Sequence, residues 1–126
     1  MDLADLGASQ LVGMIERGEI TSTELVEACL ARIEAKEDAI GAWAHLDPDF
    51  ARGAPTGPLH GIPVGIKDIF DTADLPTENG TVLSKGRLPD DDSTAVRLLR
   101  AAGAVIMGKT VTTELAVYSP GKTRNP

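Results

Sequence analysis

Nine residues, Ile62-Pro-Val-Gly-Ile-Lys-Asp-Ile-Phe70, limit most strongly what this chain can fold into. Apart from Lys67 and Asp68 they are apolar or glycine. A run of this length, bounded by turn formers, reads as a buried strand. Yet Lys67 sits near its centre, and lysine is among the residues least often fully buried. In a strand, Ile62, Val64, Ile66, Asp68 and Phe70 face one way, and Pro63, Gly65, Lys67 and Ile69 the other. Gly65 is then the neighbour of Lys67 on the same face, and its missing side chain leaves room for another backbone or a substrate. Two readings follow from the pattern. Lys67 snorkels from a strand end and has no chemical role. Alternatively, burial depresses its pKa and leaves a neutral amine able to accept a proton.

Further elements surround this run. Leu6, Leu11, Val12 and Ile15 recur at helical spacing between about Ala4 and Glu16, with Ser9 as a candidate N-cap and Gly18 as the stop. Thr21 and Glu24 have the spacing of a capping box, with Ile20 placed for a hydrophobic staple. The helix they open carries Leu25, Val26, Cys29, Leu30 and Ile33 on one face and is predicted to end near Lys36. Residues 1–38 thus form an αα-hairpin. Ile40–Leu46 reads as a strand and Asp47–Gly57 as a loop, whereas residues 71–90 show no assignable pattern. Thr94–Ala102 is a helix closed by Gly103, and Ala104–Gly108 a compact buried strand. Strand, helix and strand at these spacings predict an α/β sheet over 39–126.

Charge and composition narrow the function. A formal net charge of −7 and 3% aromatics argue against direct nucleic-acid contact or an anionic membrane surface. No apolar run reaches the roughly 18–20 residues of a membrane span. The N-terminus has no basic region of a secretory signal. The single cysteine, Cys29, has no internal partner, lies on an apolar helix face as a small core hydrophobe, and points to a reducing, cytoplasmic setting.

Other signals are weaker. Asp90-Asp91-Asp92 precedes a helix, where acidic groups and Ser93 cap free amides more readily than they gather a metal. His45, His60 and one cysteine make no zinc-ligand spacing, and His60 reads as a loop-shaping residue. Val64-Gly65-Ile66-Lys67 has the form of the kinase lysine strand, but no Gly-x-Gly-x-x-Gly precedes it and no His-Arg-Asp or Asp-Phe-Gly follows.

A longer match outweighs these. Gly57-Pro-Leu-His-Gly-Ile-Pro-Val-Gly-Ile-Lys-Asp68 resembles the lysine motif of the amidase signature family. Asp91–Thr110 is similar to that family's helix and strand ending in Gly-Lys-Thr, and Glu114-Leu115-Ala116 to the step that follows. Gly18–Ser22 and Ala31–Glu34 fit its opening helices. The resemblance implies the N-terminal part of an α/β/α sandwich with a large mixed β-sheet. It also implies a cofactor- and metal-free Ser–cis-Ser–Lys amidase acting on a small-molecule amide. By that carry-over Lys67 is the terminal base. It relieves the nucleophilic serine of its proton through the bridging serine, and an acyl-enzyme forms.

The resemblance also shows what these residues lack. The family's serines lie in a Gly/Ser-rich stretch shortly after an Asn-Pro step, and the sequence reads Asn125-Pro126 at its end. No segment here matches that stretch, and Ser84, Ser93 and Ser119 take no role. The link from Phe50 to Gly57 is shorter than is common in the family. The chain is therefore expected to be inactive alone and to need the rest of the amidase domain or partner subunits. Self-association into a homo-oligomer is left open. Two other readings stand beside simple amide hydrolysis: a glutaminase-type A subunit of a transfer-RNA amidotransferase, and a non-catalytic truncated interaction module.

Overall fold

The computed structural model describes residues 2–49 and 56–126. Most of the link from Phe50 to Gly57 lies outside the described residues. A short 3₁₀ turn, Leu3–Asp5, leads into helix α1, Ala8–Glu16. Gly7, not Ser9, occupies the N-cap of α1, so Ser9 already belongs to its first turn.

Helix α2, Ser22–Ile40, opens on the expected capping box. The Thr21 hydroxyl accepts from the Glu24 amide at 3.1 Å, and the Glu24 carboxylate accepts from the Thr21 amide at 2.7 Å. Ile20 and Leu25, the staple pair, share one apolar cluster. The helix runs past Lys36 because nothing stops it before Gly41, which takes the left-handed conformation at φ 64° and caps the last turn. The strand expected from Ile40 is correspondingly shorter: β1 spans Trp43–Leu46.

Strand β2, Pro63–Lys67, helix α3, Thr94–Ala101, and strand β3, Val105–Thr110, complete the regular structure. The sheet order is β1-β3-β2, with β1 antiparallel and β2 parallel to β3. The sheet is mixed, as expected, and the central strand is β3. Its residues Val105–Lys109 are all buried. Residues 71–90 form turns tied by an isolated bridge between Thr72 and Leu75 and a 3₁₀ turn at Val82–Ser84.

Alternation along β3 divides the core. Val105 and Met107 meet Val26 of α2, with Trp43 and Leu46 packed around them. Ile106 turns to the opposite face and joins Val96 of α3, Ile66, Leu75 and Ala104. Leu11, Leu25 and Ile62 close a third cluster where α1, α2 and the approach to β2 meet. Helices thus lie on both faces of the sheet, and each buried valine, leucine or isoleucine contributes about 1.5–3 kcal/mol.

The expected burial of Ile62–Phe70 holds only in part. Ile62, Ile66 and Asp68 are buried, but Phe70 remains 44% exposed and Lys67 is exposed. The reason is position: β2 is an edge of the described sheet, and Lys67 is its last residue. Gly65 does not hold an open space either. A Cβ there would lie 2.8 Å from Thr110 Cγ2 and 3.0 Å from the Trp43 ring, so the indole occupies the room that a side chain would take.

Candidate active site at the end of β2

The C-terminal ends of the parallel strands β2 and β3 carry the groups with chemical potential. Lys67 is paired in register with Thr110, and Ile66 with Lys109. Between Val64 and Gly65 the register slips by one residue of β3. That extra residue reverses the alternation, which places Lys109 in register with Ile66, the residue that packs toward α3.

Lys109, not Lys67, is the fully buried lysine, with no exposed surface. Its Nζ lies 3.1 Å from Asp68 Oδ1, 2.6 Å from Thr77 Oγ1 and 3.2 Å from the Pro76 carbonyl oxygen. Three acceptors match the three protons of an ammonium group. Burial pushes the Lys109 pKa below lysine's ordinary range, and the hydrogen bond and charge of Asp68 oppose that shift.

Asp68 is held from several sides. Its amide donates to the Thr110 carbonyl at 2.8 Å, its own carbonyl accepts from the Asn79 amide at 3.0 Å, and its carboxylate accepts weakly from the Glu78 amide at 3.3 Å. The chain then reverses sharply, with the Ile69 and Phe70 amides donating to the Lys67 carbonyl at 2.7 and 3.0 Å.

Sequence spacing did not show that His45, Asp68 and Glu78 converge, with one ligand-type atom from each within 4.8 Å of the others. The arrangement is a hydrogen-bond network rather than a metal centre. A cation bound there would meet the Lys109 ammonium already placed on Asp68, while Glu78 is engaged by His45 Nε2 at 3.1 Å and by the Gly86 amide at 2.7 Å. A cavity of about 400 Å³ opens beside this network, lined in part by Ala44, Asp68, Glu78, Thr81 and Thr112. Lys67 does not line it.

The outer loop is pinned by ion pairs. Arg87 forks onto Asp71 at 2.7 and 2.9 Å. Arg100 Nη2 donates to both Asp74 carboxylate oxygens, at 2.8 and 2.7 Å, and its Nε donates to Asp92 at 2.9 Å. Asp92 accepts from the Ala73 amide as well, whereas Ser93 takes the N-cap of α3. The structural reading of the triple aspartate therefore holds for Asp92, although it braces the loop rather than capping the helix. His60, at φ 48°, shapes the turn before β2 and faces Glu16 at 3.2 Å. Cys29 is half-buried among apolar residues, and burial pushes its thiol pKa up. Among the described residues no helix is long and apolar enough to cross a membrane.

Two of these carboxylates link stability to pH. The Gly86 amide, and behind it the His45 ring, hold the Glu78 pKa below its ordinary value of 4.5; Arg87 does the same for Asp71 below 3.8. Lowered carboxylate pKa values stabilise the fold above the ordinary values, and this contribution is lost as pH falls through the lowered ones. The midpoint of urea unfolding is therefore expected to drop below about pH 4.5, and Glu78→Gln to flatten part of that drop. An unchanged acid slope in Glu78→Gln would refute the assignment to Glu78.

Comparison with known proteins agrees with the motifs at this strand end. The Amidase family profile matches residues 24–126. The chain belongs to the amidase family. It is 41% identical to the A subunit of glutamyl-tRNA(Gln) amidotransferase from Salinispora arenicola, an alignment that covers 99% of this chain and 29% of that protein. The corresponding protein from Chloroflexus aurantiacus is 39% identical over 94% of the chain and 27% of the relative. This amidase segment thus spans less than a third of these relatives. The Salinispora alignment runs over 143 positions, so that relative carries residues within the matched span that this chain lacks.

Solved structures agree on the fold. The substrate complex of 6-aminohexanoate cyclic dimer hydrolase superposes with a TM-score of 0.90 at 32% identity, over all of this chain and 28% of that one. A peptide amidase bound to the competitive inhibitor chymostatin gives 0.86 at 34% identity, over all of this chain and 31% of that one. The amidase segment therefore has the α/β fold of these amide hydrolases. What sequence reasoning missed was Lys109. The signal is present in Ala104–Lys109, an apolar run ending on a lysine, but the sequence pattern alone stops the strand at Gly108.

Proposed function

We propose that the full-length protein hydrolyses a carbon–nitrogen amide bond in a small molecule by a Ser–cis-Ser–Lys relay, with Lys67 as its base. The observation that carries this reading is the position of Lys67. It is the last residue of a strand whose motif matches the family, held there by pairing with Thr110 and by the two amides on its carbonyl. No serine among the described residues belongs to the relay, so the segment alone is inactive in this reading. Lys67 is exposed along a strand edge with no partner among the described residues. The burial that a neutral lysine needs would come from protein packed on that edge. The setting is cytoplasmic, without a cofactor and without direct contact to nucleic acid.

A second reading rests on the named relatives, several of which are A subunits of glutamyl-tRNA(Gln) amidotransferases. In it the same relay releases ammonia from glutamine within a multi-subunit assembly. Ammonia release by the full-length protein separates the two. Turnover of simple amides without partners supports the first, and turnover of glutamine only with partner subunits supports the second. If neither occurs and Lys67 titrates near the free-lysine value of about 10.4, the chain is a non-catalytic interaction module.

A further inference from the structure

The proposed relay uses Lys67 and leaves Lys109 and Asp68 without a role, although they form the buried ionic pair among the described residues. Their placement relates them to Lys67. Asp68 is the next residue along the chain, and Lys109 pairs in register with Ile66, the residue before. The pair thus joins β2 and β3 at the point where β2 ends, on the buried face of the strand opposite to the exposed Lys67.

Asp68 is fastened through its amide to Thr110, through its carbonyl to Asn79, and through its carboxylate to Lys109. Lys109 is itself fastened to Thr77 and Pro76 in the loop beyond. Thr77 completes the set: its hydroxyl also lies 3.4 Å from the Phe70 carbonyl, which it reaches as a donor. The two strands and the loop that follows β2 are therefore joined around one ammonium group. No end of this network is open, since the described residues contain no buried side-chain polar atom without a partner.

We propose that the buried Lys109–Asp68 pair is a positioning device for Lys67, fixing the strand end that carries it and cancelling the charge buried behind it. The catalytic part of this inference rests on Lys67 being the base. Its electrostatic part does not. An uncompensated Asp68 carboxylate next to Lys67 favours the ammonium form and so withholds the neutral amine. An uncompensated Lys109 ammonium does the opposite. Paired, their two charges oppose each other. Around the pair, Asp71 is matched by Arg87, and Glu78 is hydrogen-bonded by the His45 ring and the Gly86 amide with Lys85 nearby; these groups remain the same in every variant below.

The test is a titration of Lys67 in full-length protein labelled with ¹³C at the lysine Cε, assigned by the signal lost in Lys67→Ala. Lys109→Gln keeps a hydrogen-bond donor but removes the charge, and is expected to raise the Lys67 midpoint. Asp68→Asn is expected to lower it, each by about half to one pH unit. The double variant is expected to return close to wild type. The pH limb of kcat/KM should follow the same order. A pair that only held the fold together would lower stability without moving the midpoint in opposite directions. Shifts of the same sign, or none, overturn the proposal. Should Lys109→Gln fail to fold, Asp68→Asn against the double variant carries the same comparison. If Lys67→Ala retains turnover, the base assignment fails, while the opposed shifts still decide whether the pair sets the charge around Lys67.

Discussion

Lys67→Ala in the full-length protein is expected to lower kcat/KM on its amide substrate by about 10²–10⁴-fold, the usual contribution of a positioned general base. The loss should fall on kcat and leave KM nearly unchanged, because the proposed lysine handles a proton and does not hold the substrate. Lys67→Arg separates charge from chemistry. Guanidinium keeps the positive charge and much of the side-chain length, but it does not release its proton in proteins. It should therefore be as inactive as the alanine variant. Turnover preserved in Lys67→Arg would show that the residue acts as a cation rather than as a base. Turnover preserved in both would remove Lys67 from the mechanism.

The sequence made local structure legible wherever a few neighbouring residues decide it. Thr21 with Glu24 marked the start of α2, Ser93 and Gly103 bracketed α3, and the apolar run after Ala104 marked the central strand. It misled where the deciding partner is distant. Nothing near Lys36 ends α2, so the helix continues to the first residue that prefers a left-handed turn. Composition alone predicts burial for Ile62–Phe70, but burial depends on which strand lies outside, and β2 lies at an edge of the described sheet. The same limit exchanged the two lysines. Both follow an apolar run, but only the register slip opposite Gly65 places Lys109 over Thr77 and Asp68. Irregular pairing of this kind leaves no periodic trace in either strand alone. The convergence of His45, Asp68 and Glu78 was hidden for the same reason, as each comes from a different segment.

Lys109→Met is expected to be the most destabilising charge removal available in the described residues. The Lys109 side chain has no exposed surface and that of Asp68 is 3% exposed, so neither can turn to water when its partner is lost. Breaking one side of such a buried pair costs about 3–5 kcal/mol, because the remaining charge is left uncompensated. Asp68→Asn with Lys109→Met removes both charges, and methionine fills much of the same volume. The double variant should therefore recover most of the loss, and the two single effects should exceed their combined effect by well over 1 kcal/mol. Urea unfolding of the full-length single and double variants measures this directly. Additive losses would mean that Lys109 is held by Thr77 and Pro76 rather than by Asp68. In that case the carboxylate would be stabilised chiefly by the Glu78 amide, and the strand end carrying Lys67 would not depend on the ion pair.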